Sequence, residues 1–126
     1  MVGQVVTSDK APKAIGPYSQ AIKVNGFVFC SGQVAINPET SQLSTGPISE
    51  QTRQVLNNVK AVLQAAGSGL DKVVKTTVFL RSMDDFAEMN TEYAKFFPKN
   101  PPARSTVQVA RLPKDAGIEI DAIATV

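Results

Sequence analysis

The hydrophobic pattern of the chain changes period between residues 49 and 66, and this change restricts the fold more than any other feature. Apolar residues recur there at intervals of three and four, as on one face of an amphipathic helix: Val55, Leu56, Val59, Val62, Leu63 and Ala66. Gly67 follows at the position where helices commonly end. Strand-like runs lie on both sides of this segment, so the chain must combine a helix with a sheet.

Strand patterns precede this helix. Asn25-Gly26 separates the apolar runs 21–24 and 27–30, which is typical of a tight hairpin because a type I′ turn needs two positive φ angles. A short first strand is expected over Gln4 to Thr7, and Gly32 is expected to end the strand after the hairpin. The first third of the chain therefore predicts three short strands joined by loops.

A strand and a second helix follow the first helix. Residues 73–80 form a β-branched run that predicts a strand. Asp84 or Asp85 offers an N-cap for the second helix, and Pro98 is expected to stop it. The apolar stripe of this helix consists of Phe86, Met89, Tyr93, Phe96 and Phe97.

Two final strands are predicted over 105–110 and 118–126, separated by a turn at 113–117. The element order is then β-β-β-α-β-α-β-β. This order is that of a single α+β domain over residues 1–126, with two helices packed on one face of a mixed sheet. Two helices leave the other face uncovered although it also carries apolar residues, and this pattern predicts oligomerisation.

The composition excludes several kinds of chemistry. The chain has no histidine and one cysteine, so the usual metal clusters and Cys/His nucleophile pairs cannot form, and no metal or cofactor is expected. The net charge of +2 is spread along the sequence and gives no electrostatic footprint for nucleic acid. No apolar run approaches the ~18 residues that a membrane span needs, so no membrane association is expected.

The lone Cys30 lies within the apolar segment 27–30 and is expected to be a buried structural thiol. A single cysteine cannot form an intrachain disulfide, which agrees with a reducing compartment. Residues 1–4 show neither an apolar signal core nor an arginine-rich transit pattern, so a cytoplasmic protein is expected. A mitochondrial form whose presequence has been removed is the alternative.

Arg104 has the strongest functional case among the polar residues. Pro101 and Pro102 stiffen the chain that leads to it, and a rigidly held guanidinium can bind a carboxylate through two parallel hydrogen bonds. Glu119 follows fifteen residues later and is a candidate general base if partial burial raises its pKa. The alternatives are a surface arginine and a solvated strand carboxylate.

Other candidate positions are weaker when each is taken singly. Tyr18, in a Gly-Pro loop, is as often a packing aromatic as a ligand contact. Ser31 and Gly32 follow the hairpin, and Gly32 either lets a ligand approach backbone N–H groups or ends the strand. Asn90, on the second helix, either lines a site or satisfies buried backbone groups.

Several segments occur together in one order and with one spacing. They are Gly16-Pro17-Tyr18-Ser19-Gln20-Ala21, Ser31-Gly32-Gln33, Asn57-Asn58-Val59-Lys60, residues 74–80, Pro102-Ala103-Arg104-Ser105, Arg111-Leu112-Pro113 and Ile118-Glu119-Ile120. In this combination the chain resembles the reactive intermediate deaminase A family, also called the YjgF/YER057c/UK114 family, over nearly its whole length.

The resemblance implies a chorismate-mutase-like α+β fold assembled as a homotrimer, with three clefts between subunits. It also implies cofactor-free hydrolysis of enamines and imines, such as 2-aminoacrylate, 2-iminopropanoate and 2-iminobutanoate, to 2-oxo acids and ammonia. Carried over by position, Arg104 would clamp the substrate carboxylate and Glu119 would activate the water. The residues that would line the cleft are Tyr18, Ser31, Gly32, Asn90 and Thr106, the last where many relatives have cysteine.

The chemistry agrees with this resemblance, because an iminium carbon is already electrophilic and its hydrolysis needs only orientation and one positioned base. Two other functions stay open. The first is a non-enzymatic sensor or binding protein for 2-oxo acids that uses the same clefts. The second is a ribonuclease or translation inhibitor, as reported for some members of the family, and the near-neutral charge and missing histidine argue against it.

Overall fold

The secondary structure follows the predicted element order. A computed structural model describes residues 3–126. Its strands are β1 (Gln4–Val6), β2 (Ala21–Val24), β3 (Phe27–Gln33), β4 (Val73–Leu80), β5 (Ala103–Gln108) and β6 (Ile118–Thr125), and its α-helices are α1 (Ile48–Ala65) and α2 (Phe86–Ala94). Short 3₁₀ turns precede β4, α2 and β6. Neither helix in this part of the chain is long and apolar enough to cross a membrane.

The six strands form one mixed sheet in the order β1-β2-β3-β6-β4-β5. The β4–β5 pair is parallel, as the α2 crossover between them requires, and the other pairs are antiparallel. Arg104 on β5 pairs with Thr76 on β4, and Glu119 on β6 pairs with Phe79 on β4. β4 therefore separates the two strands that carry the main candidate residues.

The hydrophobic core lies on one face of the sheet. Along β6 the buried residues Ile118, Ile120, Ala122 and Ala124 alternate with partly exposed ones. The apolar stripe of α1 packs on this face, and all of its members are buried: Val55, Leu56, Val59, Val62, Leu63 and Ala66. On the opposite face Phe27 and Phe29 remain 41% and 45% exposed. The prediction that helices cover one face of the sheet is confirmed, and the open face carries exposed apolar side chains.

Left-handed backbone positions confirm two of the turn predictions. Asn25 and Gly26 have φ angles of 51° and 78° and form the hairpin turn between β2 and β3. Gly67, with φ of 82°, follows α1, and the N–H of Ser68 donates to the carbonyl oxygen of Leu63 at 2.9 Å. These features form a Schellman end, in which glycine relieves the steric cost of the left-handed residue.

Two strands differ from the sequence predictions by two or more residues, whereas β1 and β6 each end one residue earlier than predicted. β3 continues through Gly32 instead of ending there, because the register with β6 shifts between Cys30 and Gln33 and the strand bends without losing its partner. β5 covers 103–108 instead of 105–110, because its pairing with β4 already begins at Ala103.

The second helix is shorter than predicted. Asp85 stands at its N-cap without a side-chain hydrogen bond; in the preceding 3₁₀ turn, the Ser82 hydroxyl accepts from the N–H of Asp84 at 3.1 Å. The helix ends at Ala94, so the phenylalanines at 96–97 pack against the core from the segment beyond it. These two phenylalanines continue the helical spacing of the α2 stripe because they pack against the same core, although the helix itself has already ended.

Cys30 is the buried thiol that the sequence predicted, with an exposed fraction of 6%. Burial, and secondarily the negative charge of Asp121, raises the pKa of this thiol to about 12. Its Sγ–H donates to the carbonyl oxygen of Ser31 at 3.4 Å. The thiol therefore stays protonated at neutral pH.

A buried amide ties α1 to the segment that follows β3. Asn58 is 1% exposed and donates through Nδ2 to the carbonyl oxygens of Val34, at 3.1 Å, and Ile36, at 2.8 Å. Its Oδ1 accepts from Nε2 of Gln54 at 2.9 Å. The amide thus satisfies backbone groups that no neighbouring strand can reach.

Replacing Asn58 by alanine should lower the free energy of unfolding by about 1–3 kcal/mol, because two carbonyl groups lose a buried donor. Asn57→Ala is the matched control, since Asn57 is the exposed neighbour on the same helix, and it should change stability by less than about 0.5 kcal/mol. Urea unfolding at one pH measures both variants. Equal losses in the two would contradict the role assigned to Asn58.

Candidate functional site

A cavity of about 500 Å³ opens beside the bend in β3. The loop of residues 12–20 forms one wall, the segment after β3 forms a second, and the turn before β6 forms a third. The predicted site residues that line this cavity are Tyr18, Ser31, Gly32 and Glu119, called the glutamate cluster below. The sequence predictions for these four residues therefore converge on one place.

The loop wall is held by a buried glutamine. Gln20, 5% exposed, accepts from the N–H of Ser8 at 2.6 Å and donates through Nε2 to the carbonyl oxygens of Ser8, at 3.2 Å, and Pro12, at 2.8 Å. One amide side chain therefore closes both ends of the loop 8–12. In the sequence Gln20 is one residue of the segment 16–21, and nothing there indicates this role.

Ser31 and Tyr18 contribute to the cavity in different ways. The Ser31 hydroxyl donates to the carbonyl oxygen of Ser19 at 2.6 Å, so it anchors the loop to β3. Tyr18 is 51% exposed, and its hydroxyl oxygen accepts from the N–H of Ile15 at 3.3 Å. The Tyr18 ring is thus available to a ligand, whereas the Ser31 hydroxyl already has a partner.

Glu119 packs directly against the backbone of Gly32. A Cβ atom at position 32 would lie 2.8 Å from Cδ and 3.0 Å from Cγ of Glu119, which is closer than side chains pack. Glycine at this position therefore lets the carboxylate lie across β3. The sequence left open whether Gly32 lets a ligand approach the backbone or ends the strand. In the structure, the missing side chain of Gly32 leaves space that the side chain of Glu119 occupies.

The surroundings of Glu119 favour its protonated form. Burial raises the pKa of this carboxyl above the ordinary value of 4.5, and the negative charge of Asp121 raises it further. Within residues 3–126, the ion pairs join Arg53 and Lys95 to Glu92 and Arg111 to Asp115, and none involves Glu119. A carboxylate with a raised pKa and no cationic partner is suited to accept a proton from water.

Arg104 lies elsewhere, on the face of the sheet that the helices cover. Its Cζ atom is 4.8 Å from the ring centroid of Tyr93 and 5.6 Å from that of Phe86, both on α2. The Tyr93 and Thr76 hydroxyls share a hydrogen bond of 2.7 Å, which fixes the ring beneath the guanidinium. In the sequence Phe86 and Tyr93 belong to the apolar stripe of the second helix, and that pattern does not indicate their contact with Arg104.

Two buried polar atoms accompany Arg104. Asn90 lies between Phe86 and Tyr93 at helical spacing, and Thr106 is two residues from Arg104 on the same face of β5. Oδ1 of Asn90 and Oγ1 of Thr106 are buried without a hydrogen-bond partner in the described part of the chain. Because such atoms are uncommon in folded proteins, a bound ligand is one way to satisfy them. Arg104, Asn90 and Thr106 are called the arginine cluster below.

The two clusters lie on opposite faces of the sheet. Arg104 shares a face with Thr76, whose hydroxyl contacts α2, whereas Glu119 alternates with the buried Ile118 and Ile120 and faces the other way. One chain therefore does not bring Arg104 and Glu119 together. A site that uses both residues must take them from two copies of the chain.

The charged residues of the described chain give no sign of a metal centre. Over residues 3–126, no group of three or more His, Cys, Asp or Glu side chains is placed to hold a metal ion. The most buried carboxylate, Glu92, instead bonds to Arg53 on α1 at 3.1 Å and to Lys95 at 3.0 Å, and these bonds lower its pKa. Glu92 therefore joins the two helices.

Comparisons with known proteins agree with this fold. A family model described as "Endoribonuclease L-PSP" matches residues 8–126. A RutC family protein from Pyrococcus abyssi is 52% identical, with 98% of each chain covered. "Reactive Intermediate Deaminase A, chloroplastic" from Arabidopsis thaliana is 51% identical over 97% of this chain and 65% of its own length. The crystal structure of E. coli TdcF with bound serine is similar with a TM-score of 0.94 and 42% identity, covering 98% of each chain.

Glu119→Gln should make the protein more stable than the wild type at pH 7. A carboxyl whose pKa is raised by folding contributes stability below its ordinary pKa of 4.5 and loses that contribution as the pH rises through the raised value. The amide carries no such cost, so the difference between variant and wild type should grow from about pH 4.5 upward. Urea unfolding across this range, with the exposed Glu39→Gln as control, measures it. A difference that does not change with pH would contradict the burial assigned to Glu119.

Proposed function

Since the chain belongs to the endoribonuclease L-PSP family, together with a relative named reactive intermediate deaminase A, we propose that it is a deaminase of reactive intermediates. Its substrates in this proposal are 2-aminoacrylate, 2-iminopropanoate and 2-iminobutanoate, and its products are 2-oxo acids and ammonia. The observation that carries the proposal is the pair of incomplete clusters. One holds a free carboxylate with a raised pKa and the other a stacked guanidinium beside unpaired polar atoms.

The opposite positions of these clusters support a trimer with the active sites between subunits. In a closed cyclic trimer each interface joins one surface to a different surface of the next copy, so every interface can pair one glutamate cluster with one arginine cluster. The open sheet face with its exposed Phe27 and Phe29 supplies apolar surface for such contacts. We therefore propose a homotrimer with three such sites.

Arg104 binds the substrate carboxylate in this proposal. A guanidinium offers two parallel donors to a carboxylate, and the ring centroids of Phe86 and Tyr93 lie 5.6 and 4.8 Å from its Cζ atom. The serine bound to E. coli TdcF is itself a small α-amino acid, with a carboxylate and a nitrogen on the same carbon. Asn90 and Thr106 then supply polar groups for the bound molecule.

Glu119 acts as the base that starts the hydrolysis. As the water oxygen bonds to C2 of the iminium ion, Glu119 takes one proton from it, and the electron pair of the C=N bond moves to nitrogen. The resulting carbinolamine receives that proton on nitrogen. Its C–N bond then breaks and ammonia leaves, while the hydroxyl oxygen forms the C=O bond and gives its proton to Glu119. Ammonia takes up that proton, so the products are a 2-oxo acid and ammonium, and Glu119 is again ionised. Base catalysis of this kind contributes typically ~10²–10⁴-fold.

Two other functions compete with this proposal. A protein that binds 2-oxo acids without turnover would use the same carboxylate contact, so only a rate measurement separates it from the enzyme. The family's description names an endoribonuclease, but RNA cleavage would require a basic stripe and stacking aromatics, and the chain has a net charge of +2 and no histidine. We therefore favour imine hydrolysis over RNA cleavage.

We propose the cytoplasm as the compartment, because the lone cysteine suits a reducing environment. A relative is named as chloroplastic, so a form that works inside an organelle is the alternative. Cell fractionation with an antibody to the protein distinguishes the two.

Substitutions at Glu119 and Arg104 should affect different steps. Glu119→Gln should bind 2-oxobutyrate within about threefold of wild type but lose at least ~100-fold of imine hydrolysis, because the amide holds water without taking its proton. Arg104→Lys should weaken 2-oxobutyrate binding by about tenfold or more, because an ammonium cannot reproduce the two parallel bonds. Calorimetry gives the affinities, and single-turnover rates on freshly generated 2-iminopropanoate, corrected for the uncatalysed reaction, give the chemistry. Wild-type turnover in folded Glu119→Gln would favour the binding protein.

Mixing two inactive variants tests whether the sites lie between subunits. When Arg104→Ala and Glu119→Gln subunits are unfolded together in equal amounts and refolded, each mixed trimer has one interface with both native residues. The mixture should therefore regain about a quarter of wild-type activity. The two variants refolded separately and then combined are the control and should stay inactive. No recovery in mixed trimers confirmed by mass spectrometry would show that Arg104 and Glu119 do not act together in a site between subunits.

A further inference from the structure

The cavity of the glutamate cluster also contains two lysines to which the proposed reaction gives no role. Lys13, in the loop wall, and Lys114, in the turn before β6, both line it. Neither lysine forms an ion pair with Glu119 or with any other carboxylate of residues 3–126. Two cations therefore face the same space as Glu119 without an anionic partner from the chain.

The position of Lys114 is maintained at a conformational cost. Lys114 and Asp115 have φ angles of 56° and 55°, which side-chain-bearing residues adopt rarely. Arg111 holds the turn through Nε and Nη2 bonds of 2.7 and 3.3 Å to the Asp115 carboxylate, and Arg81 donates to the Asp115 carbonyl oxygen at 3.2 Å. The side chains of Arg81, Arg111 and Asp115 therefore stabilise a turn with rarely adopted backbone angles, and this turn places Lys114 on the wall of the cavity.

The remainder of the cavity lining includes aliphatic side chains. Ile15, Val34 and Ile36 line it, so it accepts an aliphatic chain. A volume of about 500 Å³ exceeds the needs of a three- or four-carbon imine, since drug-sized ligands already fit pockets of about 300–1,000 Å³. The cavity therefore has room for a longer side chain that ends in a group matched to ammonium donors.

We propose that Lys13 and Lys114 form a second anion-binding position that selects 2-imino acids with a carboxylate at the end of the side chain. This inference rests on the proposed function, in which Arg104 of a neighbouring copy binds the carboxylate next to the imine carbon. The lysines then bind the distal carboxylate of a dicarboxylic imine. The reaction that supplies such a substrate is the two-electron oxidation of the α-amino group of an acidic amino acid, with the electrons taken up by the flavin or nicotinamide of the enzyme that makes it.

Two imines of equal carbon number test the selection. The imines of glutamate and norvaline are generated by an amino-acid oxidase, and kcat/KM is measured for wild type and for the double variant Lys13→Met/Lys114→Met. The wild type should prefer the glutamate-derived imine by about tenfold, and the double variant should lose this preference while the norvaline-derived imine changes by less than about twofold. Lys60→Met, an exposed lysine on α1 outside the cavity, is the matched control and should behave as wild type.

Binding of stable 2-oxo acids separates failure of this inference from failure of the proposed function. If neither imine is hydrolysed, the proposed function is wrong, and calorimetry with 2-oxoglutarate and 2-oxopentanoate still shows whether the lysines select the distal carboxylate. Equal losses for both compounds in the double variant would mean that the lysines bind the carboxylate shared by all substrates, which overturns the inference. Equal affinities of the wild type for both compounds would overturn it as well.

Discussion

Strand β6 holds the molecule together because it lies between β3 and β4 and pairs with both along most of its length. Its strict alternation gives one row of apolar side chains to α1 and the other row to the open face. Pairing fixes the register, and a shift of one residue would exchange the two rows. Glu119 belongs to the second row, so the same alternation that builds the core also decides which face carries the carboxylate.

Buried amides satisfy the backbone groups that strand pairing cannot reach in the irregular segments. Asn58 holds the segment after β3, and Gln20 holds the loop 8–12. Gln51, on α1, accepts from the N–H of Gly117 at 3.2 Å and donates to the carbonyl oxygen of Gly46 at 2.8 Å. Each of these residues lies beneath a wall of the cavity or beside the start of β6. The cavity is therefore shaped in part by side chains whose hydrogen bonds go to the backbone around it.

The sequence predicted the regular elements well because their signals are local. The Asn25-Gly26 turn, the stripe of α1 and the alternation of β6 each depend on neighbouring residues, and the structure confirms them. The prediction that the second helix includes the segment 96–97 is wrong, because residues packed on one core keep a helical spacing beyond the end of the helix itself. The continuation of β3 past Gly32 was also missed, since it involves pairing with β6 and the packing of Glu119 on Gly32, and β6 lies far away in the sequence.

The residues of the candidate site could be proposed from the sequence, but their positions relative to one another in the fold could not. The residue types and the family resemblance identified Arg104 and Glu119 as candidates. The face of the sheet that each residue occupies follows from the order of the strands, which local sequence patterns do not contain. The lysines at 13 and 114 were not identified, because a lysine in a loop looks the same whether it faces solvent or a cavity. The strained turn that positions Lys114 gives no signal beyond the proline that begins it.

The buried thiol of Cys30 has a consequence for a protein that handles electrophiles. Thiolates add to activated carbon–nitrogen double bonds far more readily than neutral thiols do, and a pKa of about 12 keeps this sulfur neutral in the cell. The chain also has no imidazole, the other side chain that is both nucleophilic and uncharged near neutral pH. Under the proposed function, the chain therefore has few side chains that would add to the C=N bond of a substrate at neutral pH.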